Sequence, residues 1–301
     1  MRTVIFHHGD LDGYASVWAY CKITCTPRTD IIAIPVNYGD TDWKNYDMES
    51  LKNKKVFMFD FSVSKEVISE IEKVAESFLL IDHHQSAVEL LGGLPNCHID
   101  TNFCGAVNVW RYYSKTEIPP FLQYVQKLDL WQFTNRQEEY ICMGLSQIDL
   151  RYDAINEIAE NFYKFSYQQD TIAKYLAKIG EMKYSNVHRR AKNTLRNGPA
   201  FYLASTGSIS FKKYHEDDIP MFNIRDILWA SSALFKYSDY NQVGSFIMKN
   251  DIVLFSLRGI EGHEVLPIAK KMNGGGHPMA CGFEMSISEF IISVNEACRE
   301  Y

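Results

Sequence analysis

Short apolar runs and helically spaced apolar residues alternate through the first part of the chain. The runs cover residues 3–6, 31–34, 56–59 and 78–81, each followed closely by polar or charged positions. A short continuous run of this kind suits a strand buried on both faces, as in a parallel sheet. Between the runs, Tyr14, Val17, Trp18 and Cys21, and later Val67, Ile68, Ile71 and Val74, recur at helical spacing. Residues 97–99 read as a further short strand, followed by a helix over 106–110. The alternation predicts an α/β fold built on a doubly wound parallel sheet. The polar stretch 38–54 reads as a loop in which Asp40 and Asp42 are expected to be solvated.

The pattern changes in the second half. Ile172, Tyr175, Leu176, Ile179 and Met182 mark a helix that continues into the basic stretch 188–196. Asn197-Gly198-Pro199 then supplies a helix stop. The expected organisation is a first domain over 1–184, a linking helix end over 185–199, and a smaller α/β domain over 200–301. In that second domain, 201–204 reads as a strand and 224–235 as a helix. Residues 243–248 and 252–257 read as two strands turned by Lys249-Asn250-Asp251, with a helix over 265–272 after them.

Composition narrows the classes. The chain has 301 residues, 46% of them hydrophobic and 23% charged, enough to bury a sizeable core. A net charge of −6 argues against long duplex nucleic acid, whose binding rests on phosphate neutralisation. It leaves room for a small phosphorylated substrate held through metal ions. Seven cysteines without a Cys-x-x-Cys pair fit a reduced, cytoplasmic protein. The first apolar run is too short for a signal peptide, and no run approaches the ~18–20 apolar residues that a membrane span requires.

The candidate chemistry gathers at the ends of the apolar runs. Asp82-His83-His84 closes the run over 78–81, and oxygen beside imidazole suits a divalent ion such as manganese. A capping aspartate with two surface histidines would look the same. Asp10 and Asp12 lie between Gly9 and Gly13 at a strand-to-helix turn, where one aspartate would also serve as a cap. Asp60 follows the third run, Asp100 follows 97–99, and Asp129 falls in or after a later helix. Ligands gather beyond the carboxyl ends of parallel strands, so the coincidence predicts a binuclear metal site. Farther on, Gly274-Gly275-Gly276-His277 and Arg258 form a candidate substrate-binding group, for which the alternative is a flexible turn.

Taken in order, His8-x-Asp10-x-Asp12-Gly13, Asp60, Asp82-His83-His84 and Asp129 resemble the motifs of the DHH phosphoesterase superfamily. Gly274-Gly275-Gly276-His277 resembles the signature of the associated DHHA1 domain. The resemblance implies two divalent ions, with manganese expected. His8 and Asp10 would hold one; Asp12, His83 and Asp129 the other; Asp60 would bridge them. It also implies that His84 stands beside the scissile phosphate with Asp82 supporting the histidine pair, while the glycine loop, Arg258 and His277 hold substrate. In many members the first histidine stands farther upstream than His8 stands from Asp10; the short spacing resembles the B-type nanoRNases, and it leaves His7 as a competitor for the role of His8. The implied function is a manganese-dependent phosphodiesterase that uses two metals to activate water against short oligonucleotides. Cyclic or linear dinucleotides, nucleoside bisphosphates or polyphosphate are alternative substrates, and an inactive nucleotide-binding module is an alternative class. No membrane partner is expected, and a homodimer is compatible with the reading.

Overall fold

In the computed structural model of the protein, residues 2–37, 46–163, 166–225 and 227–299 are described; Asp40 and Asp42 lie outside them. The chain divides into two units, Met1–Lys183 and Tyr184–Tyr301. No helix among the described residues is long and apolar enough to cross a membrane.

In the first unit the apolar runs become β1 (Thr3–His8), β2 (Ile31–Val36), β3 (Lys55–Phe59) and β4 (Ser77–Asp82), with β5 (Cys97–Ile99) at one edge. Helices α1 (Leu11–Thr24), α2 (Lys65–Val74), α3 (Gln85–Leu91) and α4 (Gly105–Tyr113) connect and follow them. All neighbouring strands are parallel, in the order β2-β1-β3-β4-β5. Side chains alternate across the sheet. Val4, Phe6, Val56, Met58, Phe78 and Leu80 share one core with Ile68 and Ile71 of α2 and Leu91 of α3. Ile5, Phe57, Phe59 and Ile81 are buried on the opposite face, where the Tyr20 ring of α1 lies 5.0 Å from Phe57 and 5.8 Å from Phe59. With helices on both faces, the strands have no polar side to show. That is why they read as continuous apolar runs.

The strand order reverses between β1 and β3, because β2 is laid on one side of β1 and β3 on the other. Such a switch point opens a crevice at the carboxyl ends of the two strands. Above that sheet, Trp18 of α1 ties several helices together. Its ring stacks 6.3 Å from Trp110 of α4, and its N–H donates to Asn156 at 3.1 Å. Asn156 belongs to α7 (Tyr152–Tyr163), which follows α5 (Pro120–Asp129) and α6 (Arg136–Leu145). The next helix, α8 (Ser166–Arg196), contains the division between the two units and stops just before Asn197-Gly198-Pro199.

The second unit carries β6 (Phe201–Leu203), β7 (Ile209–Ser210), β8 (Ile219–Asn223), α9 (Ile227–Tyr237), β9 (Gln242–Lys249) and β10 (Ile252–Gly259). It closes with α10 (Leu266–Lys271), β11 (Gly275–His277), β12 (Ala280–Ser286) and α11 (Ile287–Arg299). The sheet order is β11-β12-β10-β9-β8-β6-β7, antiparallel except where β8 meets β9. The β9–β10 hairpin turns through Asn250 at φ 54°, a left-handed position that asparagine tolerates. Phe255 and Phe283 stack face to face at 4.4 Å in the core. The helix expected over 224–235 begins at Ile227, after β8 has ended at Asn223.

The turn from β1 into α1 is tight. A Cβ on Gly13 would stand 2.0 Å from the backbone oxygen of His8, so no side chain fits without moving the helix off the strand. Gly13→Ala is therefore expected to cost about 3 kcal/mol or more. Urea denaturation should show a lower midpoint with an unchanged slope.

Candidate metal centre

The centre is assembled from the carboxyl ends of β1, β3 and β4 and from α5. After β1, Asp10 caps α1 by accepting from the Gly13 N–H at 3.1 Å. Its other oxygen lies 2.8 Å from His8 Nδ1, so the cap and the site share one carboxylate. His8 Nδ1 is also 3.8 Å from Asp60 Oδ2. The neighbouring His7 points to the other face of the strand, its Nδ1 at 2.8 Å from the His8 carbonyl oxygen and its ring 4.5 Å from Tyr14. Adjacent strand residues face opposite ways, which places His8 with the acids and His7 away from them.

Asp60 follows β3 with φ 55°, left-handed backbone that costs a non-glycine residue about 1 kcal/mol or more. The conformation drives its carboxylate into the crevice, where the residue is 1% exposed. Neither carboxylate oxygen accepts a hydrogen bond among the described residues. His83 Nε2 lies 3.1 Å from Asp60 Oδ1, 3.4 Å from Asp129 Oδ2 and 3.8 Å from Asp12 Oδ2. Asp129 arrives as the last residue of α5, a helix anchored by buried Phe121, Leu122, Val125 and Leu128. The dipole of that helix disfavours an acid at its carboxyl end, so the position is not explained by the helix.

Asp12 has a second duty that the sequence did not reveal. Its oxygens accept the Gly105 and Ala106 N–H groups at 2.6 and 2.9 Å, clamping the amino end of α4. Gly105 is pressed close: a Cβ there would lie 2.6 Å from that of Asp60. Asp82, fully buried, accepts from the His83 and His84 backbones at 2.7 and 3.3 Å and pairs with His84 Nδ1 at 2.8 Å. Asp100 turns aside to accept from the backbone and side chain of Asn102.

Two electrostatic groups result. Burial, then the charge of Asp129, pushes Asp12 up to about 6. Burial, then Asp10, pushes Asp129 up to about 7, and burial with Asp12 raises Asp60 well above the carboxylate range. The other group is an ion pair. Burial opposes charge on both partners, yet Asp82 raises His84 to about 9 and His84 lowers Asp82 to about 2. The donors suit divalent ions. Oxygen and imidazole atoms of His8, Asp10 and Asp60 lie within 4.8 Å of one another, as do those of Asp60, Asp82, His83 and His84. Asp60 belongs to both sets, and cations would compensate the buried acids. The Cys104 thiol, pushed well up by burial and by Asp12, offers no thiolate.

The remaining candidates belong to the second unit. Arg258 sits near the end of β10, where Nη1 donates to Ser256 Oγ and the Leu257 carbonyl oxygen; burial lowers its guanidinium to about 10. Gly274-Gly275-Gly276-His277, expected as a loop, instead contributes the edge strand β11, with Gly275 opposite Gly282 and His277 opposite Ala280. Glycine is required by the packing: a Cβ on Gly274 would lie 2.1 Å from the Gly282 carbonyl oxygen, and Gly276 has φ 129°.

No protein-family model matches the chain. An uncharacterized protein of Acanthamoeba polyphaga mimivirus is 26% identical over 308 residues, covering 94% of this chain and 67% of that protein. Among solved structures, a DHH domain from a member of the s1p family of ribosomal proteins aligns over 99% of this chain and 85% of its own, with TM-score 0.51 and 14% identity. RecJ of Thermus thermophilus in complex with Mn2+ aligns over 98% of this chain and 51% of its own, with TM-score 0.52 and 11% identity. The chain has the DHH-domain fold. On this DHH-domain fold the acids and histidines described above occupy the switch point of the parallel sheet.

Asp60→Asn removes a buried like charge while keeping the shape. The metal-free variant should melt ~2–4 °C higher than the parent, and the rise in midpoint that Mn2+ gives the parent should vanish. For the parent, folded Asp12 and Asp129 hold protons to higher pH than they do unfolded, and an ion must displace those protons. The Mn2+-induced rise should therefore grow from pH about 5 to about 8, as calorimetric scans would show.

Proposed function

We propose that the protein is a metal-dependent hydrolase of phosphodiester bonds, acting on short oligonucleotides with manganese as its preferred ion. The observation that carries the reading is Asp60, a buried carboxylate shared by two donor sets, with a histidine–aspartate ion pair beside it. Bound there, divalent cations would supply positive charge to the phosphoryl group and lower the pKa of the attacking water. His8, Asp10 and Asp60 would hold one ion, and Asp60, His83, Asp129 and an oxygen of Asp12 the other. The likeness to a Mn2+-bound RecJ supports that choice of ion.

His84 has the complementary task. Asp82 fixes its ring through Nδ1 and keeps it protonated through neutral pH. The Nε2–H is then the donor suited to a phosphoryl oxygen or to the departing oxygen. Arg258 and His277 are the second unit's candidates for substrate contact. The acidic net charge supports small substrates over long strands.

Turnover of short RNA, matching DNA, cyclic dinucleotides, a nucleoside bisphosphate and polyphosphate, with Mn2+ and with chelator, tests the assignment. The short RNAs should be cleaved fastest, and only with metal. Preference for another substrate would replace the substrate class, and absence of turnover by folded, metal-loaded protein would leave a nucleotide-binding module. His84→Gln should lower kcat by ~10²-fold or more while the Mn2+-induced melting rise persists. His277→Ala should raise KM without changing that rise; unaltered kinetics would remove His277 from substrate binding.

A further inference from the structure

Across β1 from the acid cluster lies a cavity of about 380 Å³, lined by His7, Tyr14, Arg28, Asp149, Arg151 and Tyr152. Val17, Ala33 and Pro35 add apolar wall. His7 is 1% exposed, and its Nδ1 faces a carbonyl oxygen, which can only accept. Nδ1 must therefore carry the proton, and Nε2 is a hydrogen-bond acceptor. No hydrogen bond to Nε2 is formed among the described residues, and His7 lines the cavity, so this acceptor is available to a ligand there.

The rest of the lining complements it. Arg28 spends one donor on the Ile31 carbonyl oxygen at 2.8 Å and lies 5.7 Å from the Tyr152 ring, and its other N–H groups have no acceptor among the described residues. Arg151 holds Asp149 at 2.6 Å, and its side chain, at the rim of the cavity, is largely exposed. Guanidinium groups suit phosphate, and tyrosine rings suit a flat base. A carboxylate such as Asp149 suits ribose hydroxyls. The volume falls within the range of small-molecule sites.

We propose that this cavity is a nucleoside monophosphate site separate from the metal centre. The base donates an N–H to His7 Nε2 and packs against Tyr14 and Tyr152; the sugar hydroxyls donate to Asp149; the phosphate is taken by Arg28 and Arg151. Nothing in this assignment requires hydrolysis, so binding can be measured without turnover.

Isothermal titration of the full chain in chelator, with adenosine and guanosine 5′-monophosphates, the nucleosides and inorganic phosphate, tests it. A monophosphate should bind about tenfold or more tightly than either its nucleoside or phosphate alone. Arg28→Ala with Arg151→Ala should weaken it by about tenfold or more, and Ala33→Leu, which fills the cavity and removes no charge, should do the same. Asp60→Asn should leave the affinity unchanged. Circular dichroism and melting of each variant separate lost binding from lost fold, and the exposed Arg151→Ala alone provides a variant that leaves the core intact. Lack of monophosphate binding, equal binding of free phosphate, or loss in Asp60→Asn with retention in Ala33→Leu would each overturn the site.

Discussion

Burial of like charge at the switch point is the constraint around which the first unit is arranged. Asp12, Asp60 and Asp129 share a crevice whose burial raises all three. A carboxylate cluster of this kind is unfavourable until protons or cations enter it. The surrounding structure nevertheless holds it in place by covalent and packing means. Asp60 is driven in by a left-handed backbone, Asp129 by a helix anchored on four buried apolar residues, and Asp12 by the two amides of α4. Each device costs or commits something to keep an acid where an ordinary core would exclude it. That is the signature of a site rather than of a stabilising network.

Much of this was legible in the chain because the strands are buried on both faces. Four apolar runs marked β1 to β4, and a polar residue at the end of each run could only stand at the sheet edge. Asp82-His83-His84 after such a run placed an acid and two histidines at that edge, although by itself the stretch read equally as a capping aspartate with two surface histidines. What stayed hidden depended on contacts distant in sequence. The grip of Asp12 on Gly105 and Ala106 joins residues that no local pattern connects. The opposed directions of His7 and His8 follow from strand alternation, but only once β1 is known to run through both histidines to His8. Strands β7, β8 and β12 left weaker traces, since short strands of mixed polarity compete with turns in any local reading.

The glycine triplet shows the same lesson from the other side. Three consecutive glycines suggest backbone freedom, yet here two of them are fixed by an antiparallel partner. The lack of side chains at Gly274 and Gly276 lets the segment close against β12, where Gly282 and Cys281 crowd it. Freedom in composition became closeness in structure. His277 is thereby presented from an ordered strand end, and a residue so placed loses little entropy on meeting a ligand.

Asp12 carries a further consequence. Its carboxylate stands between His83 on one side and the first amides of α4 on the other. Any redistribution of electron density in that carboxylate is felt by the Gly105 and Ala106 protons through hydrogen bonds of 2.6 and 2.9 Å. These two nuclei are thus built-in resonance probes: their chemical shifts report the charge state of the crevice from a helix that carries none of its acids.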